Sequence, residues 1–298
     1  MVYSANEWDD LKQVILGTSK NMYWPKEDIP TWDVLPQGEK VPDFIIEENS
    51  KALDEYQKIM ESLGVEVLRP LDLDYEKLNG FGAYSTRDAI AIIGDKIIFT
   101  PTLFKHRRKE WEAIKPLFPS NSNFIYAPLD DPELIFDAAN IIRCNNDILY
   151  LVSKTGTEKG AVWLQETLGN EYRVHILRNL YAGAHLDSTL MPIREGLIVV
   201  NGARCSEDHL PEFLKKWDQI WIHDDEVIDH PTPYKFSTKW LAINFLNINP
   251  HLAIVEPNQP IVTEKLNKHG VETIPLKIPH GRYLLGGHHC TTLDTIRG

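Results

Sequence analysis

Apolar and polar positions along this chain follow one order that recurs: a strand, a tight turn, a second strand, then a polar linker, an amphipathic helix and a further strand. Asp88 to Pro128 reads DAIAIIGDKIIFTP, then the helical stretch KEWEAIKPLF, then NFIYAP. Asn140 to Arg178 reads NIIRCNNDILYLVS, KGAVWLQETLG and YRVHIL. Ser188 to Asp225 gives STLMPIREGLIVVN, DHLPEFLKKW and DQIWIHD, and Leu241 to Ile278 gives LAINFLNINPHLAIVE, IVTEKLNKHG and VETIPLKI. A stretched copy comes first, with DLKQVILG separated from its helix KALDEYQKIMESLG and strand VEVLRPL by a long insertion. Gly94-Asp95, Asn145-Asn146-Asp147, Glu195-Gly196 and Asn249-Pro250 supply the hairpin turns. Gly64, Gly169 and Gly270 stand where three of the helices should stop.

One such unit cannot bury its own apolar faces, so five units of about 40 residues predict a stacked or closed array. No linker divides them. The expected product is a single α/β domain over residues 1–298, built from pseudo-fivefold ββαβ repeats. The least regular stretch, Asn21 to Val41, is rich in Pro, Trp and acid and reads either as a lid or as surface padding.

Composition narrows the class of ligand. Lys and Arg total 31 against 43 Asp and Glu, a net charge of −12. That balance argues against nucleic acid or an anionic membrane as partner, since both require a basic footprint. The basic run KHRRK (Lys105 to Lys109) is expected to be a solvated stretch at a helix start. Three widely spaced cysteines make no disulfide framework. The acidic N-terminus has no apolar signal core, and no apolar run approaches the roughly 20 residues of a membrane span. A cytoplasmic protein with small-molecule partners is expected, and a homodimer is compatible with the composition.

The chain has no G-x-G-x-x-G, P-loop, C-x-x-C or H-E-x-x-H. In LLGGHHC (Leu284 to Cys290), an extended chain would let only His288 and Cys290 share a face, and no second Cys/His cluster exists to complete a zinc site. No metal or cofactor is expected. Cys290, after a glycine pair and among polar residues, reads equally as a nucleophile or as a small buried residue. Polar clusters also stand at the corresponding edges of the other repeats: Thr86-Arg87-Asp88, Phe136 to Asn140, His185-Leu186-Asp187 and Lys235 to Lys239. Singly, each has a bland reading as turn former or cap. In a ring of repeats they would converge.

In this order, YSANEWDDLKQVILG, RD, FDAANIIR, YRVHIL, HLDST, NGARC, STKW, GGHHC and the final RG resemble the amidinotransferases. These are the arginine:glycine amidinotransferase group of the guanidino-modifying pentein superfamily. The resemblance covers nearly the whole chain. It implies a five-bladed α/β propeller, with Cys290 as nucleophile, His185 as general acid/base, and Asp137 and Asp88 holding a guanidinium. It further implies Asp187 at the donor's α-amino group, and Arg204, Ser237 and Thr238 at its α-carboxylate. The implied activity is transfer of the amidino group of L-arginine to an amine, with glycine, lysine, another ω-amine or an amino sugar as acceptor. A hydrolase using water on the same site is the enzyme alternative, and a non-catalytic propeller the remote one. The chain departs from the pattern at Asn140, where many relatives carry an acid, at Leu285 within the glycine run, and at His288, expected to sit behind the pocket. Acceptor choice is expected to reside in the Asn21 to Val41 insertion and the Leu180 to Ala184 loop.

Overall fold

A computed structural model describes residues 1–26, 35–232 and 235–298. Five three-stranded sheets share one pairing scheme: an antiparallel first pair, then a third strand parallel to the second. In chain order, four of them are Ile90–Ile93, Lys96–Phe99 and Asn123–Tyr126; Ile141–Cys144, Asp147–Leu151 and Arg173–Leu177; Leu190–Arg194, Leu197–Asn201 and Asp218–Ile222; and Leu246–Asn249, Leu252–Val255 and Glu272–Pro275. A parallel third strand requires a crossover, which is why each unit needs its linker and helix.

The fifth sheet joins the two ends of the chain. Leu11–Leu16 pairs antiparallel with Thr292–Arg297 and parallel with Glu66–Leu68. The first strand of this sheet is therefore the last in sequence. Cys290 accordingly stands just before a sheet's first strand, and not at the end of a last strand as the repeat reading placed it. Each polar cluster now occupies an equivalent position, ahead of a first strand.

Those first strands are the deepest. Ile90–Ile93 and Ile141–Cys144 are buried at every position, whereas the outer strands Asn123–Tyr126 and Glu272–Pro275 are only partly covered. Such unbroken apolar runs fit strands buried on both faces. The helices cover the flanks: Asp43–Ser62 buries Ile45, Leu53, Tyr56 and Met60 on one stripe. Glu158–Leu168 is capped by Thr157 Oγ1, which accepts from Gly160 N, and ends at Gly169 with φ of 74°. Two expected helices are curtailed. Residues 208–217 form only short 3-10 turns, Glu207–His209 and Leu214–Lys216, because Pro211 interrupts the segment. KEWEAIKPLF yields the five-residue helix Glu110–Ile114, followed by a 3-10 turn containing Pro116.

Within the expected insertion, Tyr23–Trp24 pairs with Glu39–Lys40 as a small ribbon; residues 27–34 lie outside the described residues. No helix among the described residues is long and apolar enough to cross a membrane.

Candidate active site

Five turns lead into the five first strands, and a closed belt of hydrogen bonds ties them together. Arg87 N donates to Cys290 O at 3.3 Å, Ala138 N to Asp88 O at 2.7 Å, and Leu186 N to Ala139 O at 2.8 Å. Asn244 Nδ2 donates to Asp187 O at 3.2 Å, and His289 N to Asn244 O at 3.1 Å. The belt passes through every unit, so the polar clusters face one another as the repeat reading expected. It borders a cavity of about 280 Å³. Its lining combines the polar residues Asp88, Asp137, His185, Asp187 and Cys290 with the apolar Trp24, Phe81, Phe104, Phe236 and Leu285.

The carboxylates are held differently from the way the sequence implied. Arg107, expected to be solvated within KHRRK, is buried instead: Nε donates to Glu110 Oε1 at 2.8 Å and Nη1 to Asp88 Oδ2. A 3-10 helix over Lys105–Lys109 turns this one side chain inward. Asp88 thus keeps a single oxygen, Oδ1, buried with no hydrogen-bond partner among the described residues. Asp137 is alike. Its Oδ2 meets His185 Nε2 at 2.9 Å, while its buried Oδ1 has no partner among the described residues. Burial raises the Asp88 carboxyl, against the pull of His185 and Arg107. Buried acceptors without donors are costly. Two of them on residues that line one cavity suit a hydrogen-bonding cation.

His185 bridges these carboxylates, with Nδ1 3.8 Å from Asp88 Oδ1. Burial pulls its pKa down, but Asp88 and the hydrogen bond to Asp137 outweigh this and lift it to about 9. The imidazole therefore carries its proton at neutral pH. Its backbone is left-handed, φ 67°, an arrangement rare for a non-glycine residue. Leu186 N and Ala139 O hold that turn in place.

Cys290 is 3% exposed. Its Sγ donates to Asp187 Oδ2 at 3.3 Å, and burial, with the charges of Asp187 and Asp88, pushes the thiol well up. The segment around it is a turn and not an extended strand, with Thr291 N donating to Gly287 O and Thr292 N to His289 O. The alternation argument for HHC fails as a result. His289 and Cys290 share a neighbour, Asp187, whose Oδ2 also meets His289 Nδ1 at 2.9 Å. His288 faces away, packs edge-on against Tyr56, and borders a separate cavity behind the loop. It does not line the cavity of the thiol. Asn244, unremarked in the sequence, is fully buried, and its Oδ1 accepts from both His289 N and Cys290 N. Its signal was there: an amide inside the apolar run LAINFL.

Ser237 and Thr238 line the cavity, but Arg204 does not. It lies behind that wall, donating to Ser188 Oγ and Thr189 Oγ1 at 2.9 Å and to Thr238 Oγ1 at 3.3 Å, with its guanidinium 3.7 Å from the Tyr181 ring. Asn140, the departure from the acidic pattern, ties down the neighbouring loop: its amide donates to Leu151 O and Ser153 Oγ and accepts from Thr155 Oγ1. Tyr181, Gly183 and Ala184 also line the cavity, as do Trp24 and Leu35 from the insertion.

No family model matches the chain. Among characterised proteins it is similar to inosamine-phosphate amidinotransferase 1 of Streptomyces glaucescens, 35% identical over 338 aligned positions, covering 100% of this chain and 97% of that protein. It is also similar to the L-arginine:L-lysine amidinotransferase of Pseudomonas savastanoi pv. phaseolicola, 26% identical over 99% of this chain and 94% of the relative. Among solved structures, the inosamine-phosphate amidinotransferase of Streptomyces griseus superposes with a TM-score of 0.92 at 34% identity, covering 100% of this chain and 97% of the other. A dimethylarginine dimethylaminohydrolase superposes with a TM-score of 0.66 at 18% identity, over 95% and 99% of the two chains. That last likeness is one of fold alone.

Proposed function

Because the chain belongs to the amidinotransferase family, we propose that it moves the amidino group of L-arginine to an amine through an amidino-cysteine at Cys290, releasing ornithine. One observation carries the choice of a guanidinium donor: Asp88 Oδ1 and Asp137 Oδ1, buried on residues that line the thiol's cavity, have no hydrogen-bond partner among the described residues. A guanidinium is planar and cationic, with N–H groups spaced to serve two such acceptors through charge-assisted hydrogen bonds. It would also satisfy two groups whose burial is otherwise unfavourable.

The chemistry follows from these positions. The bound cation offsets the negative field that holds the thiol proton, so the guanidinium itself assists loss of that proton to solvent and formation of the thiolate. Sulfur attacks the central guanidinium carbon. His185 gives its proton to the departing nitrogen, because an amide anion is too poor a leaving group to be expelled unprotonated. The C–N bond to the ornithine moiety breaks, and the amidino group remains on Cys290 Sγ. His185 then accepts a proton from the incoming amine, which attacks the same carbon; the C–S bond breaks, sulfur leaves as thiolate, and a proton from solvent restores the thiol. Asp187 faces the donor's α-amino group. Ser237 and Thr238 meet its carboxylate with the Arg204 charge behind them, a less direct role for Arg204 than the resemblance implied. The five sheets are the blades of one α/β propeller, a single domain over residues 1–298 with its site on the central belt.

The names of the relatives set the order in which acceptors are worth testing. Inosamine phosphates are named for relatives at 35% identity, so a phosphorylated amino-cyclitol is the first acceptor to test, with lysine and glycine next.

Incubation with guanidino-labelled arginine, followed by acid quench and mass analysis, is expected to place one amidino group on the Cys290 peptide. Cys290→Ala should yield neither adduct nor ornithine. An unlabelled Cys290 peptide, or unchanged turnover in the alanine variant, removes the reading.

A further inference from the structure

Leu285 has a left-handed backbone, φ 67°, although no proline or hydrogen-bonded side chain forces a non-glycine residue there. A glycine would adopt that conformation without the steric penalty of a Cβ. The loop around it is tightly determined. Gly286 N donates to Gly281 O, and Leu284 N to His280 O, each at 2.9 Å. A Cβ on Gly281 would lie 2.6 Å from Gly286 O, and one on Gly286 2.6 Å from Ser85 Oγ and 3.0 Å from Cys290 Cβ. The glycines at 281 and 286 are thus explained by close approach. A branched side chain held in strain between them is not explained by the backbone, and strain of this kind points to a use for the side chain.

That side chain lines the thiol's cavity and packs with the buried cluster containing Trp24, Phe81 and Tyr283. It is the apolar residue of the cavity wall nearest in sequence to Cys290, and it ends the turn that immediately precedes the thiol's own. We infer that Leu285 shields the amidino group on Cys290 from water, and so decides whether the intermediate is passed to an amine or hydrolysed. The inference rests on the amidino-transfer reading above. The reaction it suppresses is specific: water adds to the amidino carbon, the C–S bond breaks, the thiol regains a proton, and the group leaves as urea. An apolar wall that excludes water protects such an intermediate while a preformed amine site admits the acceptor. No other step in the proposed transfer uses Leu285.

The test is a partition ratio. The full-length protein is given labelled arginine together with an acceptor amine, and urea, ornithine and transferred product are counted in the same reaction. Leu285→Ala keeps a Cβ in the left-handed backbone but removes the shield, and Leu285→Gly removes both strain and shield. Both are expected to raise the fraction of ornithine-releasing events that end in urea by about tenfold, the scale of ~1.4 kcal/mol of lost protection. An unchanged urea fraction in folded Leu285→Ala overturns the inference, as does a rise confined to Leu285→Gly, which would assign the effect to backbone mobility. Failure of the underlying transfer reading looks different: the wild-type protein would form no amidino-Cys290 at all.

Discussion

His185 is the residue where burial and charge pull hardest against each other. Two carboxylates hold its proton on to about pH 9, although its buried position alone would strip it. The proton needed by the leaving amine is therefore present across the neutral range and is lost as pH rises through about 9. Ornithine release from arginine should fall on that alkaline limb, measured as a pH profile of the single-turnover rate. His185→Asn should lower that rate by roughly 10²–10⁴-fold, the usual contribution of a positioned acid. It should also remove the limb near pH 9. A donor whose leaving nitrogen needs no proton should recover most of the lost rate. Retention of the limb in His185→Asn would assign it to another group. Arg107 sets the opposing condition. By occupying Asp88 Oδ2 it leaves that carboxylate one oxygen for substrate, so the pair of acids presents two acceptors and no more.

Among the elements, the turns preceding the first strands matter more than the helices, and Asn244 is the tie between two of them. Its carboxamide satisfies two backbone N–H groups beside the nucleophile and one backbone carbonyl on the His185 side. Asn244→Ala would leave two buried polar groups, Cys290 N and Asp187 O, unpaired, while His289 N keeps the Asn244 carbonyl, and a loss of about 3 kcal/mol is expected at 1–3 kcal/mol for each such group. Chemical denaturation measures that loss, and adduct formation should slow in parallel because Cys290 N is one of the freed groups. Full stability in Asn244→Ala would mean the belt is not holding these turns. Sequence periodicity revealed the repeat because alternation and amphipathicity are local properties, and it located Asp88, Asp137 and His185 near unit starts for the same reason, while it put Cys290 at the end of the last unit because the closing pair of strands is not local. It could not reveal Arg107 or Asn244. Their roles depend on which turns meet across the molecule, and a basic run or an isolated amide gives no sign of that. Pro211 was visible in the sequence, and its effect was underweighted against the apolar spacing of residues 208–217.

On the scale of the whole molecule, a buried ion cluster anchors the closing sheet to its neighbours. Asp294 accepts from Arg87, from Arg143 Nη2 at 2.6 Å and from Arg297 Nε at 2.6 Å; Glu7 accepts from Arg143 Nε at 2.7 Å and meets His289 Nε2 at 3.2 Å. Removing one member strands the others, so Asp294→Ala should cost about 3–5 kcal/mol in equilibrium unfolding; a change under 1 kcal/mol would contradict that. The arginines hold both carboxyls well below their ordinary range despite burial. Depressed folded-state values mean that the stabilisation is complete above about pH 4.5 and is withdrawn progressively as acid is added. A pH series of unfolding midpoints should fall in that direction and flatten in Asp294→Ala. The pairing of Thr292–Arg297 with Leu11–Leu16 also orders events during synthesis. Four sheets can assemble from contiguous stretches as the polypeptide leaves the ribosome, while Leu11–Leu16 waits with one edge uncovered. The strand that covers it emerges after all of these, immediately behind Cys290. A product terminated before Cys290 therefore lacks that thiol and also leaves the edge of Leu11–Leu16 open, a template for pairing with another chain.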